Sequence, residues 1–227
     1  MKPAPSKVHL ICCIVIAAIC ICWSAALAQD ASSLNDADRA AVTIGSAGPG
    51  AEQSYQNILW ALGKMPRKFK DCLWSGGYHI ISVSTIDEWQ TSHNAKPFHT
   101  QDHPEWSYKN LAGLTGNRIR QILIGQYQFK HPVDRRVTFH ECGHAFDNVR
   151  QISRSAAFVS AYKQDSALPK NPKFAWTARG EICAQLVAVE LCNNKVDVSD
   201  KPGMTLKFVE AWPSCAAIVR DQLAYYR

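Results

Sequence analysis

The pentapeptide His140-Glu141-Cys142-Gly143-His144 contains three residues whose types and spacing suit metal chemistry. On an α-helix, residues four apart lie on the same face, one turn above the other. Two imidazoles at this spacing can bind one metal ion, and zinc is the usual choice. A glutamate directly after the first histidine can then act as general base toward water at the metal. The pentapeptide therefore predicts a zinc site with His140 and His144 as ligands and Glu141 as the base.

A catalytic zinc ion usually takes three protein ligands, so a third ligand must come from elsewhere in the chain. Glu181 is the preferred candidate because it begins an otherwise apolar predicted helix, where a buried carboxylate without a partner is costly. The helix dipole alone can also favour a carboxylate at this position. Glu190, on a different face of the same helix, is the next candidate. Asp147 shares the face of the two histidines and can either orient a ligand or be an exposed carboxylate.

The first 28 residues are typical of an export signal. Lys2 and Lys7 supply positive charge, the run 10–23 is unbroken apolar sequence, and a small-x-small cleavage site ends at Ala28. The run is shorter than the roughly 20 residues that a membrane-spanning helix needs, so a retained anchor is the less favoured alternative. We predict a cleaved signal peptide over 1–28, no stable membrane anchor, and a periplasmic or extracellular location.

Composition and charge narrow the class of partner. The chain has 227 residues and a formal net charge of +6, and the predicted signal contains two of its lysines. The remaining lysines and arginines are scattered, and no basic stripe points to nucleic acid. The segment 29–227 has the length of a single domain. We therefore expect a peptide or protein substrate and no nucleic-acid partner.

Five cysteines follow the predicted signal, namely Cys72, Cys142, Cys183, Cys192 and Cys215. In an oxidising compartment they can form one or two disulfides and leave at least one free thiol. Cys192 and Cys215 are the preferred pair because they lie on neighbouring predicted helices. Cys142 is rotated roughly 200° around the helix from His140. We therefore expect Cys142, and likewise Cys183, to pack on the core side rather than bind the metal.

Hydrophobic periodicity and turn residues predict an α+β domain whose C-terminal half is mostly helical. The predicted helices cover about 51–64, a stretch from about 135 that carries the zinc motif, 154–165 and 178–193, and the predicted strands cover 78–85 and 118–124. Pro213 divides the C-terminal helical region. Residues 29–50 contain few large apolar side chains and end in a glycine-rich turn. We predict a flexible leader over 29–50, followed by the domain 51–227.

A long polar and aromatic loop is predicted over 86–112, between the two predicted strands. It contains Trp89, Trp106 and three histidines, His93, His99 and His103. Loops of this length in a compact domain are usually functional or mobile. The histidines can be plain surface residues, or the loop can form a lid or substrate wall, which we favour over a second metal site. The strand 118–124 is expected to offer an edge along which an extended peptide can pair.

The motif residues resemble a known family. The segment from His140 to Asp147 is similar to the H-E-x-G-H-x-x-D segment of the anthrax lethal factor-like metallopeptidases, a group that includes the secreted Pro-Pro endopeptidases. The segment from Glu181 to Gln185 is similar to the later E-x-x-A-E/Q helix of that family, whose first glutamate is the third zinc ligand. The resemblance covers roughly 51–195. It implies a zincin-type metallopeptidase fold and one zinc ion per chain.

One residue of the family pattern has no counterpart here. The family commonly places a tyrosine a few residues ahead of the ligand glutamate, where it can stabilise the oxyanion of the reaction. The segment 174–180 contains no tyrosine. The chain offers Tyr162, a loop histidine or Arg179 in its place, and the sequence does not choose among them.

Together these features predict a secreted zinc-dependent endopeptidase that hydrolyses peptide bonds through a zinc-activated water, with Glu141 as general base. The alternative is a secreted zinc-binding protein that binds a peptide or protein partner on a peptidase scaffold and cleaves weakly or not at all. The absent tyrosine and the unusual Cys142 favour this alternative. A third interpretation is a structural protein without a metal, in which the pentapeptide is a coincidence.

Overall fold

The computed structural model describes residues 34–93, 107–126, 136–170, 178–192 and 202–227. The α-helices of these residues are α1 (Asp36–Ala40), α2 (Pro49–Lys64), α3 (Arg67–Ser75), α4 (Ile86–Ser92), α5 (Arg136–Arg150), α6 (Ala156–Ser166), α7 (Arg179–Cys192), α8 (Pro202–Ala211) and α9 (Pro213–Ala224). The strands are β1 (Val42–Ile44), β2 (His79–Ser82), β3 (Gly113–Gly116) and β4 (Gln121–Ile124). The predicted α+β class is confirmed. The predicted signal peptide, 1–28, lies outside the described residues.

The four strands form one mixed sheet in the order β1-β2-β4-β3. Strands β1, β2 and β4 are parallel, with Ile80 opposite Ile122, whereas β3 pairs antiparallel with β4, with Leu114 opposite Leu123. Strand β4 is therefore bonded on both sides, and the predicted edge at 118–124 is wrong. The edge on this side of the sheet belongs to β3, and β1 forms the other edge. The sequence of β3, with a glycine at each end, lacks the apolar alternation by which a strand is recognised.

Helices pack on both faces of the sheet, because successive side chains of a strand point to opposite faces. Ile80 and Ile122 belong to the main core, which also contains buried residues of α2, α3, α5, α7 and α9. Ile81 and Leu123 point the other way and form a smaller cluster with Ile86 at the start of α4. Helix α5, which carries the zinc motif, thus lies in the main core.

Residues 34–50, which the sequence predicts as part of a flexible leader, form α1, β1 and the start of α2. Val42 pairs with Ile80 in the sheet and is 5% exposed. The carboxylate of Asp38, in α1, is buried and accepts hydrogen bonds from Lys70 Nζ at 2.7 Å and Trp74 Nε1 at 3.0 Å. The prediction of a flexible leader is therefore wrong for 34–50. One strand pairing and one buried ion pair hold this segment, and neither requires many large apolar residues.

The predicted loop 86–112 is also corrected within its described part. Helix α4 occupies Ile86–Ser92, and a 3₁₀ helix occupies Tyr108–Asn110. Thr85 caps α4 by accepting a hydrogen bond from the Glu88 N–H at 3.2 Å. This Thr-x-x-Glu spacing is a recognised helix-start pattern, so the sequence itself contained a signal for α4. His99, His103 and Trp106, on which the lid and second-metal hypotheses depend, lie outside the described residues.

Other predicted elements are confirmed within a few residues at their described ends. The predicted helix 51–64 is α2, the motif helix is α5, 154–165 is α6 and 178–193 is α7. Pro213 separates α8 from α9, as predicted. Within the part of the chain that the structure describes, no helix is both long and apolar enough to cross a membrane.

The five cysteines after the predicted signal are thiols and not disulfides, so the preferred Cys192–Cys215 disulfide is wrong. Helices α7 and α9 run parallel, because Cys215 lies close enough to Cys183 to affect its pKa and Arg220 pairs with Glu190. Cys215 therefore lies beside the start of α7, whereas Cys192 is about 13 Å farther along that helix at 1.5 Å per residue. Cys142 and Cys183 are fully buried in the core, as predicted.

Candidate metal centre

Helix α5 presents His140 and His144 side by side, as the spacing of four requires. Their Nε2 atoms lie 3.1 Å apart, and their rings are nearly perpendicular with centroids 4.7 Å apart. Each imidazole is 20% exposed, although the helix around them is largely buried. The two nitrogen atoms therefore point into one small space that solvent can reach.

Glu181, at the start of α7, brings its carboxylate to the two histidines. Its Oε2 lies 3.2 Å from His140 Nε2, and its Oε1 lies 3.3 Å from His144 Nε2. One donor atom of each residue falls within 4.8 Å of the others. Two imidazole nitrogens and one carboxylate form the donor set of many catalytic zinc sites, so the residues present fit a zinc ion.

The other two carboxylates considered from the sequence are occupied elsewhere. Asp147 accepts hydrogen bonds from the Ser153 N–H at 2.7 Å and the Ser153 hydroxyl at 2.6 Å. It is 9% exposed, so it is not the exposed helix carboxylate of one sequence hypothesis. Glu190 pairs with Arg220 and Arg227 at the far end of α7. The structure brings only Glu181 of the three to the histidine pair.

A close crossing of α5 and α7 places Glu181 there. A Cβ atom built on Gly143 would lie 2.5 Å from the carbonyl oxygen of Ala184 and 2.9 Å from its Cα, distances that real Cβ atoms essentially never show. Only glycine allows this approach of two helix backbones. Glu181 lies one turn before Ala184, and so it meets the histidines on either side of Gly143.

Gln185 orients the first histidine. Its Oε1 lies 3.1 Å from His140 Nδ1, and an amide oxygen can only accept a hydrogen bond. With a metal ion on Nε2, Nδ1 would carry the proton and donate it to this oxygen, which fixes the orientation of the ring. The sequence places Gln185 on the face of Glu181 but assigns it no role. The signal for such a role was its spacing of four from Glu181, which puts both side chains on one face of the helix.

The electrostatics of the cluster favour a bound cation. Burial raises the pKa of the Glu181 carboxyl, but hydrogen bonds from His140 and His144 outweigh this effect and hold the pKa well below its usual range. Burial lowers the pKa of His144, but the hydrogen bond and negative charge of Glu181 outweigh it and raise the pKa to about 9. The negative charge of Glu181 beside the two imidazoles also attracts a metal cation.

Glu141 lies on the other side of α5 from Ala184, against strand β3, and is 7% exposed. The Thr115 hydroxyl lies 2.6 Å from Glu141 Oε2 and 3.0 Å from the Glu141 carbonyl oxygen. A Cβ atom on Gly113 would lie 2.5 Å from Glu141 Cγ, so the carboxylate occupies space that only glycine leaves open. Sequence reasoning missed Thr115 and Gly113, because no local pattern connects them to a residue more than 25 positions later.

The three substitutes considered for the family tyrosine fall in different places. Tyr162 stacks on Trp212, with ring centroids 5.6 Å apart, within the C-terminal helices. His93 stacks on Trp89 at 3.9 Å on α4, and the other histidines of the predicted loop are not described. Arg179 lines a cavity that also contains His144. Of the three, the structure places Arg179 beside the candidate centre.

Comparison with known proteins shows a shared fold. No protein-family model matches the sequence, and no curated protein is similar to it. Among solved structures, the chain is similar to the Pro-Pro endopeptidase of Paenibacillus alvei, with a TM-score of 0.57 and 14% sequence identity. The match covers 82% of this chain and 100% of that chain. The chain therefore has the fold of a peptidase, and at this identity the likeness shows the fold alone.

Proposed function

We propose that this protein is a zinc-dependent endopeptidase. The observation that carries the proposal is the convergence of donor atoms within 4.8 Å from His140 and His144 on α5 and Glu181 on α7. Helix α5 also carries Glu141. The zinc ion would be held by the Nε2 atoms of the two histidines and the carboxylate of Glu181. Zinc supplies Lewis-acid chemistry there, polarising a peptide carbonyl and making water more acidic.

The chain supplies the proton transfers through Glu141. Its carboxylate takes a proton from the attacking water and delivers it to the nitrogen of the leaving amine, as a general base and then a general acid. The Thr115 hydroxyl, 2.6 Å from Oε2, fixes one oxygen of this carboxylate. Oε1 is then left to exchange the proton.

Strand β3 is the surface on which we place the peptide. Its one partner within the described chain is β4, so its outer edge keeps backbone N–H and C=O groups for an extended segment. The same strand contacts the proposed base through Gly113 and Thr115. A peptide that pairs with β3 by β-strand addition therefore passes the base. The structural neighbour is a Pro-Pro endopeptidase by name, which supports a peptide as the substrate class.

Export of the enzyme is part of the proposal and is supported by the sequence over 1–28, with its lysines, apolar run and cleavage site. A periplasmic or extracellular enzyme would meet its peptide substrates outside the cytoplasm. The five thiols do not conflict with this location, because four of them are buried.

One observation favours a second candidate, a zinc-binding protein that captures peptides and cleaves them weakly or not at all. The segment 174–180 ahead of Glu181 contains no tyrosine, and the Tyr162 ring stacks on Trp212. Such a protein would share the metal ligands and the β3 edge, and it would differ only in turnover.

Two measurements on the purified protein test the proposal. After dialysis, elemental analysis should find about one zinc ion per chain, the stoichiometry of a mononuclear site. Cleavage of a diverse peptide library should then fall by at least about a hundredfold in Glu141→Gln, whose zinc content stays unchanged. Zinc binding without cleavage of any peptide supports the second candidate. A folded chain that takes up no zinc overturns both.

A further inference from the structure

A cavity of about 420 Å³ opens beside His144, next to the candidate metal centre. Helix α5 contributes His144, Asp147 and Asn148 to its wall, and the start of α7 contributes Arg179. Ser153 and Arg154, from the 3₁₀ helix Ile152–Arg154, and Asn117, from the turn after β3, add to the polar lining. The cavity shares a wall residue with the metal centre, so a peptide bound at the metal can place a neighbouring group in it.

The two arginines give this cavity a positive character. Arg154 donates a hydrogen bond to the Gln151 amide oxygen at 3.1 Å, a neutral partner that leaves its charge uncompensated. In the regions that the structure describes, no carboxylate pairs with Arg154 or Arg179. The one lining carboxylate, Asp147, accepts two hydrogen bonds from Ser153. Two arginines and one carboxylate therefore leave the lining with a net positive charge.

The neutral lining residues add hydrogen-bond donors. Asn148 Nδ2 donates to Tyr78 Oη at 2.7 Å, and Tyr78 Oη donates to Asn117 Oδ1 at 3.2 Å. Because the amide oxygen of Asn117 is occupied, this residue offers its N–H groups. A Cβ atom built on Gly180 would meet nothing within 4 Å, so the first turn of α7 leaves open space on the cavity side.

We propose that this cavity binds a carboxylate of the peptide substrate, with Arg154 and Arg179 as its partners. Guanidinium groups pair with carboxylates through two parallel hydrogen bonds, which gives both charge and geometric selectivity. The carboxylate belongs either to an aspartate or glutamate near the scissile bond or to the free C-terminus of a peptide. This inference rests on the proposed peptidase function, because it assigns the cavity to that function's substrate.

Peptide binding to zinc-loaded Glu141→Gln tests the cavity without requiring turnover. Fluorescent peptides would carry glutamate or glutamine at each position in turn, and a second set would differ only in a free or amidated C-terminus. We expect one glutamate peptide, or the free-acid peptide, to bind at least about tenfold more tightly than its neutral counterpart, as for a hydrogen bond to a charged group. Which set shows the preference identifies the source of the carboxylate.

Arginine variants of zinc-loaded Glu141→Gln show which residues cause the preference for the acidic peptide. Arg154→Gln and Arg179→Gln should each remove most of it while leaving the neutral peptides' affinity unchanged. Arg118→Gln is the matched control, because Arg118 neighbours Asn117 and carries the same charge but does not line the cavity. Its preference should equal that of the parent protein.

Three results would overturn the inference. Equal binding of acidic and neutral peptides would exclude a carboxylate site, and equal loss of preference in Arg118→Gln would reduce it to a general charge effect. An unchanged preference in both Arg154→Gln and Arg179→Gln would show that the carboxylate binds outside this cavity. Failure of the proposed function is separate, since it appears as absent zinc or as peptides bound but never cleaved.

Discussion

Gly143 of α5 and Ala184 of α7 touch backbone to backbone, and this contact holds the candidate metal centre together. A Cβ atom on Gly143 would lie 2.5 Å from the Ala184 carbonyl oxygen. His140 and His144 lie on α5 on either side of this crossing, and Glu181 lies one turn earlier on α7. The spacing between the histidine nitrogens and the Glu181 carboxylate therefore depends on how closely two helices approach.

The first prediction concerns this crossing. Gly143→Ala should push α7 away from α5, because the added methyl group meets backbone atoms that cannot rotate aside. We expect the free energy of unfolding to fall by about 1–3 kcal/mol, as for other overpacked cores, and zinc affinity to fall with it. Urea unfolding and zinc titration measure the two effects.

Gly180→Ala is the matched control for that substitution. It adds the same methyl group to the first turn of α7, where nothing lies within 4 Å. Its stability should be equal to that of the parent protein or up to about 1 kcal/mol higher, because alanine favours a helix over glycine. If Gly143→Ala matched Gly180→Ala in both measurements, the crossing would not determine the metal centre.

Gln185 should tune zinc affinity through His140. Gln185→Leu removes the acceptor 3.1 Å from His140 Nδ1, so the imidazole loses the partner that keeps Nε2 free for the metal. We expect the dissociation constant for zinc to rise about 10- to 100-fold, as for other residues that support a metal ligand. Gln185→Glu keeps an acceptor and should bind zinc at least as tightly as the parent. Equal affinities for all three proteins would contradict this role.

Thr115 should affect turnover and not metal binding. Thr115→Val keeps the shape of the side chain but removes the hydroxyl that lies 2.6 Å from Glu141 Oε2. If Glu141 is the base, kcat should fall about tenfold, the cost of one hydrogen bond to a charged group. KM and zinc content should stay unchanged, and Thr115→Ser should restore most of kcat. A drop in zinc content would instead show that Thr115 supports the fold of α5.

Asp38 should stabilise the N-terminal segment in a pH-dependent way. Burial raises the pKa of its carboxyl, but hydrogen bonds from Lys70 and Trp74 outweigh burial and lower the pKa below 3.8. A carboxyl whose pKa is lower in the folded state stabilises the protein above its unfolded-state value of about 3.8. This stabilisation is lost as the pH falls below that value.

Asp38→Asn tests this anchor. At pH 6 it should cost about 3 kcal/mol, because it leaves the buried Lys70 ammonium without its carboxylate. Asp36→Asn, on the exposed side of the same helix, should cost little. Urea unfolding from pH 6 down to pH 3 should show the difference between wild type and Asp38→Asn shrinking below pH 4. A constant difference would mean that folding does not lower the pKa of Asp38.

The sequence by itself determined the features that depend on local geometry. Two histidines four apart on a helix must share a face, whatever surrounds them, and Cys142 must then face away from that side. The apolar helix that begins at Glu181 was equally recognisable, because its buried residues run along the whole segment. These features depend on helix periodicity, which acts over a few residues.

Tertiary structure alone decided the features that depend on distant pairings. It chose Glu181 over Asp147 and Glu190 by giving the latter two other hydrogen-bond partners. It also placed the Thr115 hydroxyl beside the Glu141 carboxylate and β3 at an edge of the sheet. Residues 34–50 form α1, β1 and the start of α2. Each of these depends on contacts between segments far apart in the chain. Such contacts depend on how helices and strands pack against one another, and the hydrophobic periodicity of one segment does not predict them.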